Sequence, residues 1–180
     1  VERLAAADGM LFAVTLDGSI LAFGAEKASP GRRVQSPAPP APSPEASRAA
    51  LDLLEKAGVE NGYALFHGVT DGELLEALVS FSDLRIVLVE EEEKRVDALR
   101  RRFDSAGVYG ERLHVLPGRL ADFDAPPYMA SLTVVDGILK LSAATLENIF
   151  DSMRPYGGVA LFRPEPENLE KLVADSGLHG

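Results

Sequence analysis

The sequence predicts an open, doubly wound α/β fold with a parallel sheet over residues 45–180. Two observations carry that expectation. From residue 45 onward, short aliphatic runs alternate with stretches whose apolar residues recur at helical spacing, the pattern of βαβ units with right-handed crossovers. The run Arg85–Val89 is aliphatic from its second residue on, with no polar alternation, the mark of a strand buried on both faces.

Each element can be justified in turn. Ser43 suits an N-cap, Pro44 the first helical position and Gly58 a stop, so a helix is expected over about 45–57. Tyr63–His67 is a short apolar run that leads through a glycine-containing turn into a helix carrying Leu74, Leu75, Leu78 and Val79. After the Arg85–Val89 strand comes a helix with Val96, Leu99 and Phe103 on one face. Arg112–Leu116 and Leu132–Val135 are the third and fourth strands. A helix with Leu146, Ile149, Phe150 and Met153 inward, a fifth strand at Val159–Phe162 and a last helix over 165–176 complete the series.

The N-terminal part has a different texture. Residues 9–24 contain two apolar runs around Asp17-Gly18, a strong hairpin signal because both turn residues tolerate positive φ. A lone hairpin is marginal in water, so these strands need a larger sheet. Residues 25–44 end in Ser36-Pro37-Ala38-Pro39-Pro40-Ala41-Pro42-Ser43-Pro44, an extended, semi-rigid linker. The expected organisation is a hairpin over 1–24, a linker over 25–44 and an α/β domain over 45–180.

Composition narrows the function classes. The formal net charge is −10 and the isoelectric point about 4.8, which argues against a nucleic-acid surface. Arg100-Arg101-Arg102 is the one basic cluster, and it is set among acidic residues on a helix, where a solvated face is expected. Cysteine is absent, which excludes disulfides, thiolate metal sites and cysteine nucleophiles; no metal is expected. No apolar run is long enough to span a bilayer. The chain begins at Val1 without a basic-then-apolar leader, and is expected to be a cropped or processed piece.

In an open parallel sheet, ligands lie outside the carboxyl ends of the strands near the point where strand order reverses. The first strand is followed by His67-Gly68-Val69-Thr70-Asp71-Gly72-Glu73. Glycines there admit close backbone approach, and a helix N-terminus follows. The second strand ends in Glu90, whose carboxylate can accept two hydrogen bonds from ribose hydroxyls. Glu91, Glu92 and Glu93 are expected in the next helix's first turn, where they favour its dipole. His67 is either a base at the cleft rim or a neutral, locally satisfied histidine; His114 and His179 are expected to be structural or exposed. Asp136-Gly137 follows the fourth strand and either touches a substrate or makes a turn. Ala125-Pro126-Pro127-Tyr128 resembles the Asp-Pro-Pro-Tyr site of amino-methylating enzymes, but precedes the fourth strand instead of following it, so coincidence is expected.

The ensemble resembles the class I S-adenosylmethionine-dependent methyltransferases over roughly residues 45–175. Gly68 and Gly72 match the outer glycines of their first motif and Glu90 their second. Gly118-Arg119-Leu120-Ala121-Asp122 is similar to the third, which frames adenine, and Met153-Arg154-Pro155-Tyr156-Gly157-Gly158 to the turn before the fifth strand. The resemblance implies a Rossmann-like sheet flanked by helices and S-adenosylmethionine as cofactor, held by Gly68, Gly72, Glu90, Leu120 and Ala121. It also implies sixth and seventh strands, which are expected to be missing from this chain or supplied elsewhere. Three positions depart from the pattern: Phe66 stands at the first motif's acid, which serves the cofactor's methionine end, Thr70 at its middle glycine and Arg119 at the third motif's acid.

Residues 9–24 resemble a repeat of the quinoprotein-like β-propellers. That resemblance implies a parent protein in which this domain associates with a propeller; the alternative is a hairpin packing on its own domain.

Three functions follow as expectations. The first is methyl transfer to an unknown acceptor, which needs in-line alignment and exclusion of water, and a general base only for a protonated acceptor; Asp136 and His67 are the candidates. The second is a methyltransferase-like interaction module without turnover, binding a protein partner. The third is an NAD-binding domain, although Gly68-Val69-Thr70-Asp71-Gly72 lacks the spacing for a pyrophosphate.

Overall fold

The computed structural model describes residues 3–16, 19–24, 41–68, 72–137 and 141–177. The chain forms two compact units, Val1–Gln35 and Ser36–Gly180.

The first unit is a three-stranded antiparallel sheet of β1 (Arg3–Ala7), β2 (Met10–Val14) and β3 (Ile20–Phe23), in that order. The two-stranded hairpin expected from the sequence is therefore a meander with one more strand. β1 and β2 are joined through Asp8-Gly9, both at positive φ, the two-residue turn whose twist matches that of the flanking strands. This second Asp-Gly turn lies at the start of the apolar run, where alternation was too short to mark β1. The Asp17-Gly18 turn lies outside the described residues. Register places Leu4, Leu11, Leu21 and Phe23 on one face and Met10, Phe12, Val14 and Ile20 on the other. Both faces are apolar.

In the second unit α1 (Pro44–Ala57) precedes β4 (Asn61–His67), α2 (Gly72–Phe81), β5 (Asp83–Glu90), α3 (Glu93–Ser105) and β6 (Leu113–Pro117). The chain then crosses to β7 (Ala130–Asp136), α4 (Ala143–Ser152), β8 (Val159–Arg163) and α5 (Leu169–Ser176). The five strands are all parallel, in the order β6-β5-β4-β7-β8. After β4 the chain steps to one side for β5 and β6, then returns to the other for β7 and β8. The β4–β7 seam is thus the switch point where neighbouring loops part and leave a crevice.

Local chemistry accounts for the boundaries. At the start of α1 the Ser43 hydroxyl accepts the Ala46 N–H at 3.2 Å, and at its end Gly58 donates its N–H to the Leu54 carbonyl. Ser142 caps α4 through the Thr145 N–H. Two expectations need correction. The last helix begins at Leu169 and not at 165, because Pro166 disfavours helical backbone at Glu165 and residues 167–168 form a turn. Phe150, expected inward on α4, is exposed, and Met153 lies beyond the helix as its cap.

The central strands β4, from Ala64 on, and β7 are buried on both faces, whereas β6 at the edge exposes His114 and Leu116. Ala64, Phe66, Ile86, Leu88, Leu132 and Val134 pack against α1, α2 and α3 in the main core. Leu65 and Val89 meet the segment after β6, including Phe123 and Met129, and Val135 packs with residues of α4 and α5. A buried carboxylate joins two helices: Glu76 of α2 receives both Nε and Nη2 of Arg102 on α3, at 2.8 and 3.0 Å.

Candidate nucleoside cleft

The carboxyl ends of β4, β5, β6 and β7 enclose a cleft of about 350 Å³, lined by His67, Gly68, Glu90, Arg95, Leu120 and Asp136 together with Val89, Glu91, Gly118 and Gly137. That volume lies within the roughly 300–1,000 Å³ of small-molecule sites. The backbone builds the rim. Gly68 donates to the Val89 carbonyl, Gly118 to the Glu90 carbonyl and Gly137 to the Arg163 carbonyl, at 3.0, 3.0 and 2.7 Å. Each ladder therefore runs one residue beyond its strand.

Gly68 is required by geometry. Its φ is +71°, and a Cβ there would sit 2.8 Å from the Asp136 carbonyl oxygen, closer than backbone and side chain can approach. Its N–H is already used, so what it offers the cleft is bare backbone and space.

Glu90 is the cleft's buried carboxylate. Its Oε1 accepts the Glu92 N–H at 3.1 Å, and its Oε2 lies 3.4 Å from Arg95 Nε. An ionised carboxylate has about four acceptor positions, so one backbone donor and one loose guanidinium leave room for a pair of hydroxyls. Arg95, in the first turn of α3, was not anticipated; the only trace in the sequence is a cation five residues after the strand-ending acid. α3 begins at Glu93, which leaves Glu91 and Glu92 before the helix. Glu91 reaches Arg119 across the rim at 3.4 Å.

His67 is 3% exposed, and burial lowers its pKa from 6.5 to about 4. Its ring packs in a T-shaped arrangement with Phe123, centroids 5.9 Å apart, and Nδ1 has no hydrogen-bond partner. The satisfied histidine considered from sequence is thus replaced by a neutral, desolvated one.

The structure brings His67, Gly68, Glu90, Leu120 and Asp136 to one cleft and leaves Gly72 and Ala121 out of its lining. Gly72 is buried under α3: a Cβ would meet Leu99 Cδ2 at 3.2 Å and Arg102 Cδ and Nε at 3.3 Å. Its glycine character serves helix packing, which leaves the motif spacing intact with a different cause. Ala121 is exposed on the turn after Leu120. Phe66 is fully buried in the main core, and Arg119 extends into solvent between Glu91 and Asp122, so neither fills the cleft. Thr70 and His179 lie outside the described residues, and His114 is exposed. The Pro126-Pro127-Tyr128 segment is far from this chemistry: Tyr128 N–H bonds the Asp151 carbonyl at the end of α4. The Arg154–Gly158 turn precedes β8 at that same end. Among the described residues, no helix is long and apolar enough to cross a membrane.

A strand-end carboxylate, a glycine floor and apolar Val89 and Leu120 suit a nucleoside's ribose, close-lying backbone and base edge. No family model and no curated protein matches the sequence. Solved structures do resemble the second unit. A Methanococcus maripaludis protein assigned as an S-adenosyl-L-methionine-dependent methyltransferase is 18% identical, with a TM-score of 0.59 over 73% of this chain and 62% of that one. A SAM-dependent methyltransferase from Aquifex aeolicus is 14% identical, with a TM-score of 0.58 over 72% of this chain and 79% of that one. A third, from Thiobacillus denitrificans in complex with S-adenosyl-L-homocysteine, is 19% identical, with a TM-score of 0.54 over 67% and 48%. The chain thus spans less than two thirds of the length of the first and third. At these identities the likeness is one of fold: the second unit has the Rossmann-like α/β fold that these methyltransferases share.

Proposed function

We propose that the second unit binds S-adenosylmethionine in the cleft between β4, β5 and β6 and transfers its methyl group to an acceptor. The observation that supports this most is the convergence of Gly68, Glu90 and Leu120 on one cleft at the switch point. Glu90 would take the ribose hydroxyls, Val89 and Leu120 would flank the base, and Gly68 would let the sugar lie against the chain. The cofactor supplies a methyl group already activated on a sulfonium, so the protein's part is alignment and exclusion of water. Where an acceptor has a proton to lose, the candidate bases at the cleft are Asp136 and His67. The His67 imidazole, with a pKa near 4, is too weak to collect protons efficiently near neutrality.

The test is equilibrium unfolding with and without ligand. S-adenosylhomocysteine at about 100 times its dissociation constant should add roughly 2.7 kcal/mol to stability, and Glu90→Ala should remove the gain. Stabilisation by NAD alone would replace this function with dinucleotide binding, and no response to either would leave a scaffold.

A second possibility is an interaction module. It draws support from the first unit, whose sheet is apolar on both faces and so suits a position between other sheets about 10 Å away on either side. A blade of a propeller, as the resemblance of residues 9–24 implies, is one such position. Expressed alone, residues 1–35 should self-associate; a monomeric, folded peptide would rule this out.

A further inference from the structure

The five-stranded sheet ends in two edges, β6 and β8, and their backbone groups are treated differently. At β6 most of the outward groups are taken up. Leu113 donates its N–H to the Val108 carbonyl at 3.1 Å and accepts the Gly110 N–H at 2.9 Å. The Val115 carbonyl accepts Nε and Nη2 of Arg100 at 3.1 and 2.8 Å, and Pro117 has no N–H to offer. At β8 the Arg163 carbonyl accepts the Gly137 N–H at 2.7 Å, so Arg163, Leu161 and Val159 turn their backbone groups towards β7. Ala160 and Phe162 alternate with them and turn theirs outward. Among the described residues, no hydrogen bond reaches the N–H or carbonyl of either. Val159–Phe162 is an apolar run with no charge, proline or bulge to blunt it.

The helix beside this edge is also unfinished. α5 packs on α4 over the face of Ala160 and Phe162, through Leu169 and Leu172. None of its residues is buried, and Val173 is 40% exposed. The charges flanking β8 differ in sign: Arg154 precedes the strand, and Glu165 and Glu167 follow it. Among the described residues, no ion pair engages any of the three. Parallel pairing of two such strands would set like charges together. Antiparallel pairing sets each arginine beside the glutamates of the other copy. We infer that β8 is the contact between two copies of this chain, joined antiparallel about a two-fold axis at Leu161. Ala160 of one copy then stands opposite Phe162 of the other, and their reciprocal hydrogen bonds use all the outward groups. The two sheets become one, and α5 meets its copy on one face with Leu172 and Val173 between them. A strand edge alone buries less than a stable interface needs, and the helices supply the rest. The contact is independent of what the cleft binds.

Sedimentation velocity on the full chain, from about 1 to 100 μM, should show a dimer. Ala160→Pro removes an outward N–H without touching a bond to β7 and should weaken dimerisation on the order of tenfold or more. Arg154→Glu should weaken it several-fold, and adding Glu165→Lys and Glu167→Lys should restore it. A covalent readout fixes the register. In the two-fold arrangement Leu161 faces its own copy as a non-hydrogen-bonded pair, with Cα atoms about 4.5 Å apart, within reach of a disulfide. The chain has no cysteine, so Leu161→Cys introduces the sole thiol and should give a disulfide-linked dimer on mild oxidation. Asp97→Cys, at an exposed position of α3, should stay unlinked. A monomeric wild type would overturn the inference. So would a dimer that Ala160→Pro leaves intact, or one in which Leu161→Cys forms no disulfide, since either assigns the pairing to another surface, such as the first unit. Thermal melts by circular dichroism check the fold of each variant; should Ala160→Pro not fold, the charge reversal and the disulfide still decide.

Discussion

Two buried glutamates, each beside an arginine, differ in what they leave unfinished. Glu76 on α2 is held by two short, parallel bonds from Arg102, at 2.8 and 3.0 Å. Glu90 at the end of β5 has one backbone donor and an arginine nitrogen at 3.4 Å. The first pair is closed, with both oxygens committed to fastening α2 to α3. The second is open and lines a cleft, so its remaining lone pairs face a space where a ligand can lie. Burial of a carboxylate therefore does not mark a binding site by itself; unused acceptor capacity beside a cavity does.

The largest expected effect sharpens the contrast from the side of the cleft. His67 is neutral when folded, with a pKa near 4 against 6.5, so between those values the unfolded chain holds more protons. Stability is fully present above pH 6.5, falls as pH drops from there to about 4 and levels off below, a loss of about 3 kcal/mol. Urea unfolding at several pH values should give a steeper acid decline for the wild type than for His67→Met. Parallel curves would mean that the imidazole is already solvated.

Next is the closed pair. Glu76→Ala removes both bonds by which Arg102 fastens α3 to α2 and should cost about 2 kcal/mol. That is below the figure for a fully buried pair because the Arg102 side chain is 42% exposed. Nucleoside affinity should be unchanged, and a large loss of binding would erase the distinction between the two glutamates. The open pair should behave in the opposite way. Glu90→Gln should alter stability by less than about 1 kcal/mol, yet weaken S-adenosylhomocysteine on the order of tenfold by calorimetry. Arg95→Met should have the smallest effect. It should shift stability by under about 0.5 kcal/mol and affinity only a few-fold, since the Glu92 N–H still orients Glu90. A loss as large as that of Glu90→Gln would make Arg95 a direct ligand contact.

The order of helices and strands in the second unit was legible because strands buried on both faces are written as aliphatic runs, and helices as apolar spacings with caps. Ser43-Pro44 and Gly58 bounded α1 to within a residue, and Glu90 was placed at its strand end by pattern alone. Pro164 and Pro166 set the start of α5, but in the sequence that restriction competes with the good helix-forming glutamates around them. Phe150 was misplaced because spacing cannot tell how far a helix is rotated against its neighbours.

Adjacency between distant segments was decided only by the tertiary structure. Gly68 and Gly72 look alike in the sequence, yet one clears the Asp136 carbonyl and the other makes room for Arg102, contacts from residues 68 and 30 positions away. Whether His67 is exposed or desolvated depends on where Phe123 is carried by the segment after β6. The pairing of Asp136 with Arg163 depends on strand register, which is a property of two strands and not of either one. Local chemistry along the chain determines which elements form and where they end. Only the packing of those elements determines which polar atoms are left with unspent hydrogen-bonding capacity, and that is what makes a cleft.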